Sequence, residues 1–365
     1  MKITAAVIRD PEAPYSIEQL ELREPGQGEV LVRIVGVGMC HTDVLPRIPG
    51  IGIPLPIVCG HEGAGIVEAV GPGVTAVAVG DHVVMSFDSC GACTNCRTGH
   101  PAYCETFMLR NLSGFRADLT TPMSADGGEV VAGSWFGQSS FASHSLATER
   151  NVVKVDDELP LEQLGPLGCG LQTGAGSVLV AMKARPGTSI AVFGTGAVGI
   201  AAVMAARVAG CTTIIGVDLN DNRLELAREL GATHTFNGAD PEVGAQILAL
   251  TGDGVQYAFD TTGVPGVILT ALGALRQTGT CGLVGVQTAP LEIAPNFLAA
   301  GKNVMGILEG DAVPQVFIPE LIALWRQGRF PFDRLIGTFA FEDIDRAEQS
   351  SLSGEVIKPV LLAPA

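Results

Sequence analysis

The pattern of apolar and polar positions changes character once along the chain. From Lys2 to about Gly168, apolar residues come in short β-branched runs cut by Gly and Pro, such as 29–37, 65–70 and 81–85. Runs of this kind predict strands joined by irregular loops. From about Gly170, apolar strands alternate with helical stretches: strands at 189–193, 213–217, 257–260 and 280–284, helices at 198–209, 222–230 and 266–275. That alternation predicts a parallel sheet with helices on both faces. It fades near Gly306. An amphipathic helix around 319–327 and a last strand at 357–362 follow, and both are expected to fold back onto the N-terminal part. The expected organisation is therefore an irregular β domain over 1–170, completed by 307–365, and a doubly wound α/β domain over 171–306.

Composition agrees with two domains. A chain of 365 residues with 47% hydrophobic and 16% charged residues buries large cores and is not disordered. Its net charge of -16, with no run of Lys and Arg, excludes nucleic acid as a partner. Two uncharged stretches, 163–182 and 188–206, have about the length of a membrane span, but both are dense in Gly, and the second divides into a strand, a Gly turn and a helix start. No membrane span is expected. The first apolar run is broken by Arg9, Asp10 and Pro11, too early for a signal peptide, so a cytoplasmic location is expected. There are nine cysteines, and in such a chain their clustering points to metal rather than disulfides.

The string GTGAVG, 194–199, follows an apolar strand and opens a helix. In that context Gly194 makes the turn, Gly196 lets backbone approach a pyrophosphate, and Gly199 lets helix and strand pack closely. The next strand ends at Asp218, whose carboxylate suits the adenosine ribose hydroxyls and repels a 2'-phosphate, so NAD is expected over NADP. Arg223 reads either as a ribose contact or as a helix-surface charge.

Cys90, Cys93, Cys96 and Cys104 form a C-x2-C-x2-C-x7-C cluster, dense enough to close a tetrahedral zinc shell that only holds a loop together. An iron–sulfur cluster or a redox pair shares part of this spacing. Cys40, His61 and Cys169 are a looser set; two Cys and one His leave a fourth position on zinc open, as catalysis requires. Spacing alone leaves that reading level with ordinary core residues.

The segments GMCHTD (38–43), GHEGAGIV (60–67), the four-Cys loop, GCGLQTGAG (168–176) and GTGAVG occur in the order found in zinc-containing medium-chain alcohol dehydrogenases. The chain resembles that family over nearly its whole length, most closely the bacterial aryl-alcohol branch, where segments like GCGLQTGAG and PQVFIPELI (314–322) also occur. The resemblance implies a GroES-like catalytic domain, a Rossmann cofactor domain and two zinc ions per subunit. Cys40, His61 and Cys169 would hold the catalytic zinc and the four clustered cysteines the structural one. Glu62 would sit behind the metal, and Asp43 would orient His61. Thr42 would bond the alcohol oxygen and pass its proton outward. Thr173 and Val198 would flank the nicotinamide, Val284 and Val286 would also contact the cofactor, and His41 and Lys358 would face the pyrophosphate. The chain departs from well-known animal members at His41, where they carry Arg, and at Leu45, where they carry the His that ends the proton relay.

Leu45, Phe87 and the pair Trp135 and Phe136 suggest a pocket for a flat apolar group, unless the aromatics are core residues. The expected reaction is reversible oxidation of a benzylic primary alcohol to its aldehyde. A geraniol-type allylic alcohol is the alternative substrate. A catalytically silent NAD-binding relative is the alternative of another class, although such relatives usually lack the zinc ligands. The resemblance also implies a homodimer or homotetramer, paired through an edge strand around 282–286.

Overall fold

The computed structural model describes residues 1–287 and 289–364. The chain divides into two compact units. The first comprises Met1–Cys169, Val313–Glu320 and Asp333–Ala365; the second comprises Gly170–Ala312 and Leu321–Phe332. The expected change at 170 agrees with this division. The return at 307 does not: the chain rejoins the first unit at 313, and 321–332 belong again to the second.

The first unit is built on two sheets. A five-stranded sheet runs in the order Ile57–Val58, Lys2–Ile8, Ser16–Leu22, Met123–Ser124, Val130–Val131. In the seven-stranded sheet, the long strand Glu29–Gly38 pairs antiparallel with Gly63–Val70, His144–Thr148 and the last strand, Lys358–Leu362. The last strand returns because its Val360 and Leu361 are apolar on both faces and fully buried, an interior position that only an existing sheet provides. Pairing Val360 with Gly38 sets the register that brings Lys358 beside Met39.

The second unit holds a six-stranded parallel sheet in the order His234–Asn237, Thr213–Asp218, Ser189–Phe193, Val255–Asp260, Leu275–Leu283, Asn303–Gly306. Every residue of Ser189–Phe193 is buried, as a central strand requires. Strand order reverses beside it, and in such sheets the crevice outside the carboxyl ends at the reversal is where ligands bind. The helix expected at 266–275 is Pro265–Gly273, with proline at its first position. Leu275 instead opens the next strand.

Two expectations are corrected by neighbours in space, and one element was not foreseen. The sheet edge is Asn303–Gly306, paired with Leu275–Leu283 through Thr280 and Asn303, so 282–286 is not the edge. The amphipathic helix expected around 319–327 is Pro314–Arg326, which begins earlier than Pro319 and contains it. Burial of Phe317, Ile318, Leu321 and Ile322 offsets the hydrogen bond that proline forfeits. Finally, Gly170–Gly176 is a helix in spite of its glycines. A Cβ on Gly174 would overlap the carbonyl oxygen of Val198, so close packing selects residues that propensity disfavours.

Candidate active site

Cys40 lies two residues beyond the long strand and caps the short 3-10 turn His41–Arg47. Buried Asp43 in that turn accepts from the Cys40 amide at 3.1 Å and the Gly60 amide at 2.9 Å, and lies 2.8 Å from His61 Nδ1. One carboxylate thus joins the two segments that carry Cys40 and His61 and orients the imidazole, the role the family resemblance implied for Asp43. Nδ1–H donated to Asp43 leaves the Nε2 lone pair for a metal. His61 Nε2 is 3.2 Å from Cys169 Sγ. The ligand atoms of Cys40, His61, Glu62 and Cys169 all lie within 4.8 Å of one another. Hydrogen bonding with Cys169 holds the Cys40 thiol well below its ordinary range, against its burial, and Lys358 and His61 act in the same direction. The thiolate is the form that binds metal. Two soft sulfurs and one imidazole nitrogen fit zinc.

Lys358 stands elsewhere than expected. Its Nζ donates to both oxygens of Glu62 at 2.9 Å and to the Met39 carbonyl at 3.0 Å, and the side chain is 3% exposed. All three ammonium protons are committed inside the first unit, so it has none for a pyrophosphate. Burial would strip its proton, but the charges of Glu62, Cys40 and Cys169 and the hydrogen bond to Glu62 together more than reverse that. Gly38 makes the arrangement possible, because a Cβ there would overlap the Glu62 carboxylate.

Two pocket residues are also corrected. Trp135 is fully buried, and Phe87, nearly so, packs on Phe107 at 5.8 Å between ring centres. Neither has a face to offer a ligand. The ring at the site is Phe136, stacked on His61 at 4.4 Å and 25°. Leu45 is half-buried against the first unit's core, His41 is exposed, and Thr42 Oγ1 lies 3.8 Å from Cys40 Sγ. Gln138 and Ser86 were missed: Gln138 donates to the His61 carbonyl at 2.9 Å, and Ser86 donates to the Gly168 carbonyl at 2.6 Å, steadying the segments of His61 and Cys169. No local motif marks either, since each acts on a segment 77 or 82 residues away.

In the four-Cys loop, Cys90 Sγ and Cys96 Sγ are 3.9 Å apart, against about 3.8 Å for the edge of a tetrahedron with zinc–sulfur bonds of about 2.3 Å. The amides of Cys93 and Ala92 donate to Cys90 Sγ, and that of Cys90 to Cys104 Sγ. The backbone amide of Glu105 helps bring the Cys93 thiol down to about 6. All four sulfurs lie within 4.8 Å of one another, so the cluster suits a closed zinc site.

The second unit presents the dinucleotide turn. Gly194 has φ of +88°, a Cβ on Gly199 would overlap the Gly194 carbonyl, and one on Gly196 would meet nothing within 4 Å. Turn, open approach and close packing fall on Gly194, Gly196 and Gly199 respectively, an arrangement that fits a pyrophosphate. Asp218 accepts from the Thr195 amide at 2.6 Å and the Asn220 amide at 2.9 Å. Arg223 Nε is buried with no partner among the described residues. The Val284 amide donates to the Asp260 carbonyl at 3.0 Å, which sets Val284 and the exposed Val286 just beyond the carboxyl end of Leu275–Leu283.

These features define a zinc-binding dehydrogenase with a Rossmann cofactor domain, and the chain belongs to the zinc-binding alcohol dehydrogenase family. Residues 26–157 match the alcohol dehydrogenase GroES-like domain and residues 197–325 the zinc-binding dehydrogenase domain. Among its relatives, geraniol dehydrogenase of Castellaniella defragrans is 44% identical over 98% of this chain and 97% of its own. Benzyl alcohol dehydrogenase of Acinetobacter calcoaceticus superposes with a TM-score of 0.96 at 43% identity, covering 100% of both chains. An alcohol dehydrogenase zinc-binding domain protein of Burkholderia ambifaria reaches a TM-score of 0.97 at 50% identity, again over 100% of both.

Proposed function

We propose that the protein is a zinc- and NAD-dependent alcohol dehydrogenase of the aryl-alcohol type, converting a benzylic primary alcohol and NAD+ to the aldehyde, NADH and a proton, reversibly. The observation that carries it is the convergence of Cys40, His61 and Cys169 with Asp43 behind the histidine. Zinc, when bound, polarises the alcohol oxygen, and NAD takes the hydride. Cys40, His61 and Cys169 hold the metal, and Asp43 keeps the His61 ring in the ligating tautomer. Thr42 takes up the alcohol proton and passes it outward; Leu45 carries no proton onward, so the exit runs by another group. Lys358 neutralises Glu62 and keeps that carboxylate anchored. Asp218 selects NAD, with Thr173, Val198, Val284, Val286, Arg223 and His41 as further cofactor contacts. The four-Cys loop holds a second zinc in each subunit, the assembly is a homodimer or homotetramer, and the location is cytoplasmic. Among the described residues, no helix is long and apolar enough to cross a membrane.

With Phe87, Trp135 and Phe136 all in the core, the substrate reading rests on half-buried Leu45 and on the two named relatives. Benzyl alcohol and geraniol share an sp2 carbon beside the carbinol carbon, and conjugation stabilises the aldehyde formed from either. The geraniol-type reading is kept because that relative is as similar as the other.

Initial rates of NAD reduction with benzyl alcohol, geraniol and ethanol, at verified zinc content, test the proposal. A kcat/KM at least about tenfold above ethanol for either conjugated alcohol supports it, and their ratio picks the branch. Preference for ethanol overturns the substrate reading. No turnover in zinc-loaded protein that still binds NAD makes it a silent relative.

A further inference from the structure

After the edge strand Asn303–Gly306, the residues Glu309, Gly310 and Asp311 all adopt left-handed backbone, with φ of 47°, 68° and 54°. Residues with a Cβ rarely do so, and such a run persists only where its surroundings over-determine it. Here the surroundings are the helix Gly170–Gly176. A Cβ on Gly310 would lie 2.6 Å from the Gln172 carbonyl oxygen and 3.1 Å from that of Thr173, and one on Gly176 would lie 2.7 Å from the Gly310 carbonyl. Glycine on both sides lets turn and helix meet backbone to backbone.

That contact buries the Glu309 side chain, 8% exposed, against the helix. Its Oε2 accepts from Gln172 Nε2 at 3.2 Å and from Thr173 Oγ1 at 3.4 Å. The same helix touches the dinucleotide turn, where Gly174 meets the Val198 carbonyl. A strained turn thus sets a carboxylate behind Thr173, next to the start of the cofactor-binding helix.

We propose that Glu309 is a positioning residue for Thr173 and a fixed negative charge that biases the bound cofactor toward its oxidised form. This rests on the NAD reading, with Thr173 beside the nicotinamide. The ring is the part of the cofactor whose charge changes, positive in NAD+ and neutral in NADH. An anion held near it in a poorly solvated wall favours NAD+ selectively. Thr173, whose hydroxyl proton is committed to Glu309, presents oxygen lone pairs of the same sign. The ADP-ribose part is alike in both forms and does not distinguish them.

The test is the dissociation constants of NAD+, NADH and ADP-ribose for wild type and Glu309→Gln. The expected result is a loss of about tenfold in NAD+ affinity relative to NADH, with ADP-ribose affinity within about twofold of wild type. An unchanged NAD+ to NADH ratio overturns the proposal, and so does an equal loss for all three ligands, which is what a purely structural role produces. Should Glu309→Gln not fold, Glu309→Asp and Glu309→Asn form a second pair, both tolerant of left-handed backbone and differing in charge. Asp is expected to keep the preference and Asn to lose it; equal ratios overturn the proposal. Wild-type protein that binds none of the three removes the NAD reading itself, and the role of Glu309 with it.

Discussion

Lys358 carries three protons, and two oxygens of Glu62 and one of Met39 take them. Lys358→Met removes the ammonium that faces the buried Glu62 carboxylate, an expected loss of about 3–5 kcal/mol. A lowered urea midpoint with NAD affinity nearly unchanged bears this out; a large loss of NAD affinity in folded protein restores the pyrophosphate contact. Asp43 is the other residue whose partners explain its role. Asp43→Ala frees the His61 ring, so zinc affinity is expected to fall about 10–100-fold in a chelator competition while NAD binding stays. Cys40→Ser is expected to abolish turnover and leave NAD binding; near-normal turnover contradicts the zinc mechanism. The chemistry of Cys40, His61 and Asp43 was legible from local motifs and family resemblance. The partner of Lys358 was not, because Glu62 lies 296 residues away.

Among the elements, the strands of the second unit were the most legible, since a strand buried on both faces leaves a continuous apolar run. The helix Gly170–Gly176 was the least, because the glycines that lower its propensity admit the neighbouring backbone. Gly174→Ala tests the balance. Alanine improves helix propensity by about 1 kcal/mol, but its Cβ overlaps the Val198 carbonyl, for a net destabilisation of about 1–3 kcal/mol and weaker NAD binding. A more stable variant with unchanged affinity contradicts the packing argument. The aromatic pair failed as a pocket for a related reason: the two rings pack edge to face in the first unit's core at 5.6 Å between centres, with Phe136 also stacked on His61.

For the molecule as a whole, the segment between Cys90 and Cys104 contains only the one-turn helix Thr94–Arg97 and a three-residue 3-10 turn, too little to hold its shape unaided. Chelation is expected to lower the melting temperature by about 5–10 °C, even where the catalytic metal alone is restored, as calorimetry would show. The four-residue edge strand Asn303–Gly306 is the surface on which a second copy would extend the sheet, and sedimentation should give at least twice the chain mass. A monomeric mass contradicts the expected association.

The sequence by itself determined the two textures, the glycine turn and the four-cysteine loop, because each depends on residues within one element or one loop, where spacing is geometry; Cys40, His61 and Cys169 were named only by the family resemblance. Only the tertiary structure decided where Lys358 spends its charge, which ring faces His61, which strand is the edge and why Glu309 sits in a strained turn. Those depend on registers and backbone approaches between segments far apart in the chain, and hydrophobic periodicity carries no record of them.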